Sequence, residues 1–292
     1  LDLRGNGGGH LTEATALSGL FIDNGPVVQL RNSSGRISRL DDPDPVARVA
    51  YNGPLVVLVD RYSASASEIF AAAIQDYARG VIVGQQTFGK GTVQNLYSLD
   101  QYIRPDGDEG YGQLTLTIGK YYRVTGESTQ HRGVDPDIVL PSHINAELVG
   151  ESVRESALPW DTVQTTRFRS GVPLTETIES LTSAYAERAE GDPNVRYQLD
   201  VIEATREMTS QKSLSLNKAV RRAEREDELQ NRLDRENERR AALDLEPIAS
   251  LDDIEEDEFP DISLEQATGI VTDLATMREI ASKPPQAAQV QP

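Results

Sequence analysis

The sequence predicts a mixed α/β core followed by a mainly helical region, an α/β (α+β) architecture. The stretch 54–94 alternates a buried strand, a helix and a second buried strand, which is the pattern of a βαβ unit. Near residue 150 the composition becomes more acidic, and apolar residues then recur at helical spacing. We therefore expect a core over 1–148, a helical domain over 149–282 and a disordered Pro- and Gln-rich tail over 283–292.

The first part of the chain contains short elements. Residues 1–3 have the composition of a strand end that leads into a glycine run, and residues 11–22 have a helical pattern. Residues 26–30 alternate as a strand, and the Asn32–Gly35 stretch is typical of a hairpin connection. The acidic, Pro-rich residues 40–45 predict an exposed loop.

The central stretch is the most regular. The mostly β-branched run 54–60 predicts a strand that is buried on both faces, and the spacing of apolar residues predicts a helix over 68–79. The helix is expected to end at Gly80, followed by a strand at 81–83, a loop at 84–91 and a strand at 92–99.

Later elements complete the prediction. Alternation predicts a strand over 113–124 after a polar insertion around 105–110, and the segment 133–141 is expected to close the core. Trp160 is expected to anchor the segment that follows onto the core. Helical composition covers 173–189, 195–208 and 214–243, and Ser263 with Gln266 predicts the capped start of a final helix.

Two residues of the central stretch have the chemistry of a hydrolase. Ser65 lies where the predicted helix begins, and Lys90 lies between two glycines in the following loop. A lysine accepts a proton from serine only if its pKa of about 10.4 is lowered, and apolar surroundings have that effect. Exposed N–H groups at a helix start would stabilise an oxyanion. Both halves of a Ser–Lys hydrolase are therefore present.

Simpler interpretations compete with this one. The run from Ser65 to Glu68 fits a capping box, and a single loop lysine is more often a solvated charge. The run from Gly84 to Lys90 approaches a phosphate-binding loop, but Gly91 replaces the required Ser or Thr and a strand follows, so we reject nucleotide binding. A Ser–His–Asp triad with His10 is the main rival mechanism, although no acid partner stands at a recognisable position.

The run SASASEIFAAAIQDYARGVIVGQQTFGKGTVQ resembles the active-site region of the carboxyl-terminal processing proteases of family S41, and the whole chain resembles the tail-specific branch of that family. The resemblance implies a core of the ClpP/crotonase-like type, and a chain that lacks the PDZ domain and earlier strands of the family. It also implies roles for nine residues. These are the nucleophile Ser65, the base Lys90, the orienting Gln94, the charge-relay Asp76, the oxyanion donors Gly9 and Ala66, and the supporting Gly8, Glu68 and Thr87.

The physical argument disagrees with the family over Asp76. Eleven residues of helix separate Asp76 from Ser65, which is about 16 Å at ~1.5 Å per residue. A direct contact is therefore excluded, and we expect Asp76 to order the helix or the lysine loop. No His/Cys cluster has zinc spacing, so no metal and no other cofactor is predicted.

Composition limits the partners. A net charge of −18 argues against a nucleic-acid or anionic-membrane surface, and no apolar run has the ~20 residues of a membrane span. The absence of cysteine fits the periplasm, which the resemblance also implies, with or without peripheral attachment to the inner membrane.

We therefore expect a serine endopeptidase that cleaves proteins recognised by apolar C-terminal tails, with a periplasmic adaptor protein as a further partner. The alternatives are a non-catalytic scaffold that retains the fold, and an enzyme that acts on small acyl substrates.

Overall fold

The computed structural model describes residues 1–44, 48–103, 110–254 and 259–282. The chain forms two compact units. The first contains Leu1–Val139 and Asn145–Thr175, and the second contains Leu140–Ile144 and the described residues from Glu176 onward. The predicted α/β core and the predicted helical region are both confirmed. The predicted insertion at 105–109 and tail at 283–292 lie outside the described residues.

A parallel sheet lies at the centre of the first unit. Its strands follow the order β3 (Val56–Val59), β4 (Val81–Gly84) and β7 (Ile138–Val139). Helix α2 (Ala66–Asp76) connects β3 to β4, so the predicted βαβ unit is confirmed. Every residue of β3 and β4 is buried, because both faces of a parallel sheet are covered. The chain start extends this sheet, since the Leu3 amide donates to the Leu58 carbonyl at 2.8 Å.

A second, antiparallel sheet has the order β2-β1-β6-β5. Its strands are β1 (Pro26–Asn32), β2 (Ile37–Asp41), β5 (Thr92–Ser98) and β6 (Gln113–Tyr122). The predicted hairpin between β1 and β2 is confirmed. Strand β2 continues to Asp41, so the first residues of the predicted acidic loop are paired with β1 instead. The pairing of β5 with β6 shifts register between Val93 and Gln94.

The hydrophobic core of the first unit forms around α2. Eight of its eleven residues are buried, which explains why its apolar pattern is the strongest in the chain. Helix α1 (Leu11–Gly19) packs against α2 and ends three residues before the predicted end. It ends there because the amides of Leu20 and Phe21 turn back to carbonyls three residues earlier.

The second unit is helical. Its helices are α3 (Thr175–Glu190), α4 (Pro193–Ser210), α5 (Lys218–Ala242) and α6 (Ile262–Ser282). These four helices agree with the predicted ones to within a few residues. The cap of α6 is the exception, because Asp261 rather than Ser263 accepts the Leu264 amide, at 3.0 Å. No helix of the described chain is both long and apolar enough to cross a membrane.

The segment 145–175 packs within the first unit, whereas the sequence places a domain boundary at residue 148. Trp160 fixes part of this segment, because its indole N–H donates to the Ser128 carbonyl at 2.9 Å. Asp161 adds an ion pair with Arg31 and accepts from the Tyr122 hydroxyl at 3.0 Å. The β-structure of the first unit therefore carries a long irregular extension.

Candidate active site

Ser65 lies at a sharp turn between β3 and α2. Its φ of +58° and ψ of −112° place a non-glycine residue in the left half of conformational space, which costs on the order of 1–3 kcal/mol. The turn before it is held by Asp60, whose carboxylate accepts the amides of Tyr62 and Ser63 at 2.9 and 3.0 Å. The Ser65 side chain is half-buried and stands at the N-terminus of α2. A strained, well-braced serine at a helix start is a frequent feature of functional sites.

Glu68 organises this turn. Its carboxylate is fully buried and accepts four hydrogen bonds: from the Ser65 amide at 2.7 Å, the Thr87 hydroxyl at 2.6 Å, the Gly89 amide at 2.7 Å and the Lys90 amide at 2.9 Å. Burial raises the pKa of Glu68 to about 7, and the four donors oppose that rise. The main chains of Ser65 and Lys90 therefore meet on one carboxylate.

Lys90 lies at the end of a loop that packs closely on the turn at 130–133. Gly89 has a φ of +92°, and a Cβ there would come within 2.7 Å of the His131 carbonyl oxygen, so only glycine fits. Gly91 donates to the Gln130 side chain at 2.8 Å. The Lys90 ammonium donates to Gln94 Oε1 at 3.2 Å, which is the contact expected between these two residues. The register shift beside Gln94 sets the direction of its side chain.

Tyr121 reaches the same place from β6. Its hydroxyl lies 2.5 Å from the Lys90 carbonyl oxygen and 3.1 Å from the Ser65 carbonyl oxygen. Burial raises the pKa of this phenol well above its usual range, with a further contribution from Glu68. The hydroxyl therefore stays protonated. Glu68 binds Ser65 and Lys90 through their amides, and Tyr121 binds them through their carbonyls.

The glycine run approaches the Ser65 turn from the other side. Gly8 has a φ of +99°, and a Cβ on it would lie 2.7 Å from the Ala64 carbonyl oxygen and 2.8 Å from the Ala66 nitrogen. Asn6 holds this approach, because its side-chain oxygen accepts the Gly8 amide and the Ser67 hydroxyl, each at 2.9 Å. Among the described residues, the amides of Gly9 and Ala66 have no hydrogen-bond acceptor.

Thr87 and Arg61 support the lysine loop from below. The Thr87 hydroxyl accepts the Val134 amide at 2.7 Å while it donates to Glu68. Arg61 is only 2% exposed, and its guanidinium donates to the carbonyls of Thr87 and Val149. Both residues connect the loop to neighbouring turns, so the four bonds of Glu68 rest on a rigid support.

Asp76 lies apart from this cluster, at the other end of α2. Its carboxylate pairs with the Arg123 guanidinium at 2.5 Å, and its side chain is only 4% exposed. No hydrogen bond joins it to Ser65 or Lys90 in the described chain. The structure thus agrees with the distance argument against direct contact, and it places Asp76 in an ion pair between α2 and the end of β6.

His10 does not form a triad. It precedes α1 with an exposed side chain, and among the described residues no hydrogen bond joins its imidazole to Ser65 or to a carboxylate. The same residues contain no group of three or more His, Cys, Asp or Glu side chains that could hold a metal ion.

Three residues of the site carry no signal in the sequence. Tyr121 lies within an ordinary alternating strand, Arg61 follows a strand, and Asn6 lies in a glycine run. A buried tyrosine or arginine needs polar partners, but only the folded chain identifies them. Glu68 was visible as part of a capping box, and its side chain does accept the Ser65 amide, yet its bonds to the lysine loop were not visible.

The comparisons with known proteins agree with this arrangement. Residues 1–140 match "Peptidase family S41", which defines the class of the first unit as a peptidase domain. Residues 144–276 match "C-terminal domain of tail specific protease (DUF3340)". The chain therefore belongs to peptidase family S41, in its tail-specific group.

Individual relatives give the extent of the similarity. The chain is 43% identical to the tail-specific protease of Haemophilus influenzae over 94% of its own length and 39% of that protein. It is 36% identical to the carboxy-terminal-processing protease of Bartonella bacilliformis over 52% of its length and 33% of that protein. A solved photosystem II D1 C-terminal processing protease is 34% identical, with a TM-score of 0.39 over 52% of this chain and 36% of that one. The chain thus spans about two fifths of the Haemophilus relative.

Proposed function

We propose that this chain carries the catalytic site of a serine endopeptidase that uses Ser65 as nucleophile and Lys90 as general base. The observation that carries the proposal is the convergence of both residues on Glu68 and Tyr121, which fixes their main chains relative to each other. Gln94 binds the Lys90 ammonium and orients it. Structural capping alone would not require a lysine loop bound to the cap.

The reaction follows from these positions. Lys90 in its neutral form removes the proton of the Ser65 hydroxyl as the oxygen attacks the scissile carbonyl. The amides of Gly9 and Ala66 donate to the resulting oxyanion, which is why their lack of an internal acceptor matters. The Lys90 ammonium then protonates the leaving amine. Water hydrolyses the acyl-enzyme, with Lys90 again as the base.

The substrate class and the location rest on the relatives. Proteins named tail-specific and carboxy-terminal-processing proteases resemble this chain, so we propose protein substrates that are recognised by apolar C-terminal tails. A periplasmic location, with or without peripheral attachment to the inner membrane, and an adaptor protein belong to the same proposal. Peptides that differ only in an apolar or a charged C-terminus measure the first of these claims directly.

The mechanism is tested by Ser65→Ala and Lys90→Met in the complete protein. Methionine keeps an unbranched stem of similar length but has no amine, so both variants should fold normally and lose peptide hydrolysis. Ser34→Ala, which changes an exposed hydroxyl of the β1–β2 hairpin, is the control and should retain full activity. Unchanged hydrolysis by Lys90→Met would show that another base acts. Unchanged hydrolysis by both variants would favour a scaffold with a contaminating activity.

A further inference from the structure

We infer that Tyr121 is a positioning residue that sets the separation between the Ser65 turn and the Lys90 loop. The inference rests on the proposed function, and it concerns a residue outside the sequence motif that contains Ser65 and Lys90. Tyr121 is 30 residues beyond that loop and comes from the other sheet.

The loop wraps around Tyr121. The Tyr121 amide donates to the Gly91 carbonyl at 3.0 Å, and its hydroxyl donates to the preceding carbonyl, that of Lys90, at 2.5 Å. Two consecutive carbonyls of the loop are therefore bound by one residue of β6. The ring is only 1% exposed, so no solvent molecule takes over the hydrogen bond without a rearrangement.

The hydroxyl also connects the loop to the nucleophile. Its oxygen lies 3.1 Å from the Ser65 carbonyl, which also accepts the amides of Glu68 and Ile69 within α2, each at 3.0 Å. The Ser65 carbonyl is thus held by its helix in any case. Lys90 is different, because the Tyr121 hydroxyl supplies the only hydrogen bond that its carbonyl makes within the described chain.

Glu68 and Tyr121 then act on opposite edges of the Lys90 main chain. The carboxylate of Glu68 accepts the Lys90 amide, and the Tyr121 hydroxyl donates to the Lys90 carbonyl. Loss of either bond leaves the loop free to rotate about the other. The position of the Lys90 stem relative to Ser65 depends on this rotation, and a displacement of about 1 Å costs on the order of 100-fold in rate.

The test compares Tyr121→Phe with Tyr122→Phe in the complete protein. Both residues are almost fully buried neighbours on β6, and both lose one hydrogen bond as phenylalanine. The hydroxyl of Tyr122 bonds Asp161, away from Ser65 and Lys90, which makes it a matched control. We expect kcat of Tyr121→Phe to fall by about 10-fold or more at unchanged KM, and its pH–rate profile to shift. Tyr122→Phe should keep the kcat and the profile of the parent protein.

Amide hydrogen exchange supplies a readout that does not depend on activity. Tyr121→Phe should speed exchange at residues 89–91 relative to Tyr122→Phe. Equal kcat and equal exchange in the two variants would overturn the inference. If Ser65→Ala remains active, the proposed mechanism fails, whereas the exchange rates still decide whether Tyr121 holds the loop.

A second substitution covers the case in which Tyr121→Phe folds poorly. 4-Aminophenylalanine at position 121 restores an N–H donor on the same ring, so it should recover kcat to within a few-fold of the parent protein and restore slow exchange. A variant that folds but shows neither recovery would contradict the role of the donor.

Discussion

Substitution of Gly8 by alanine is the sharpest test of how the glycine run serves the site. The new Cβ would lie 2.7–2.8 Å from three atoms of the Ser65 turn, two of which are backbone atoms, whereas ordinary contacts begin near 3.4 Å. The glycine run or the turn must therefore move by about 0.6 Å, and alanine must also adopt a φ of +99°. Strain and overpacking of this kind cost about 3 kcal/mol together.

That displacement falls on the proposed oxyanion donors Gly9 and Ala66. We expect kcat for peptide hydrolysis to drop by about 10- to 100-fold. The melting temperature should fall by about 10 °C, at ~2–4 °C per kcal/mol for a unit of this size. Gly7→Ala is the matched control, because a Cβ at Gly7 meets no atom within 4 Å and its backbone needs no positive φ.

Both variants are compared by steady-state hydrolysis of a chromogenic peptide and by thermal unfolding. If Gly8→Ala hydrolyses the peptide as fast as Gly7→Ala, the close approach of the glycine run is irrelevant to catalysis, and the oxyanion assignment of Gly9 loses its geometric basis. If Gly7→Ala is equally damaged, the effect belongs to the whole turn rather than to the contact at Gly8.

Two further predictions concern buried carboxylates. Since burial raises the pKa of Glu68 to about 7, the folded state holds more protons than the unfolded state between about pH 4.5 and 7, so the free energy of unfolding should decrease by up to ~3 kcal/mol as the pH rises through this window. Denaturant unfolding at several pH values should show this decrease in the parent protein but not in Glu68→Gln, and a pH-independent difference between the two would contradict it. Asp76→Asn breaks the buried ion pair with Arg123 and should cost about 3–5 kcal/mol in unfolding experiments, while kcat per folded molecule stays unchanged. A loss of kcat without a loss of stability would instead support a catalytic role for Asp76.

Local pattern was sufficient for most of the elements. The βαβ unit is predictable because β-branched runs and a 3.6-residue apolar period encode a buried strand and a one-sided helix within a few residues of each other. The hairpin between β1 and β2 and the four C-terminal helices follow from similarly local signals. Boundaries were less certain: helix α1 ended early and β2 extended into the expected loop, because tertiary pairing, not propensity, decides where an element stops.

The candidate site divides in the same way. The sequence by itself determined the serine at a helix start, the lysine between two glycines and the glutamate in the capping box, since these lie within one short stretch of chain. Only the tertiary structure decided that Glu68 also binds the lysine loop, that Tyr121 binds the carbonyls of Ser65 and Lys90, and that Asp76 pairs with Arg123. These contacts join residues 19–56 positions apart. Hydrogen-bond partners at such separations depend on how strands and loops pack, and no local periodicity encodes them.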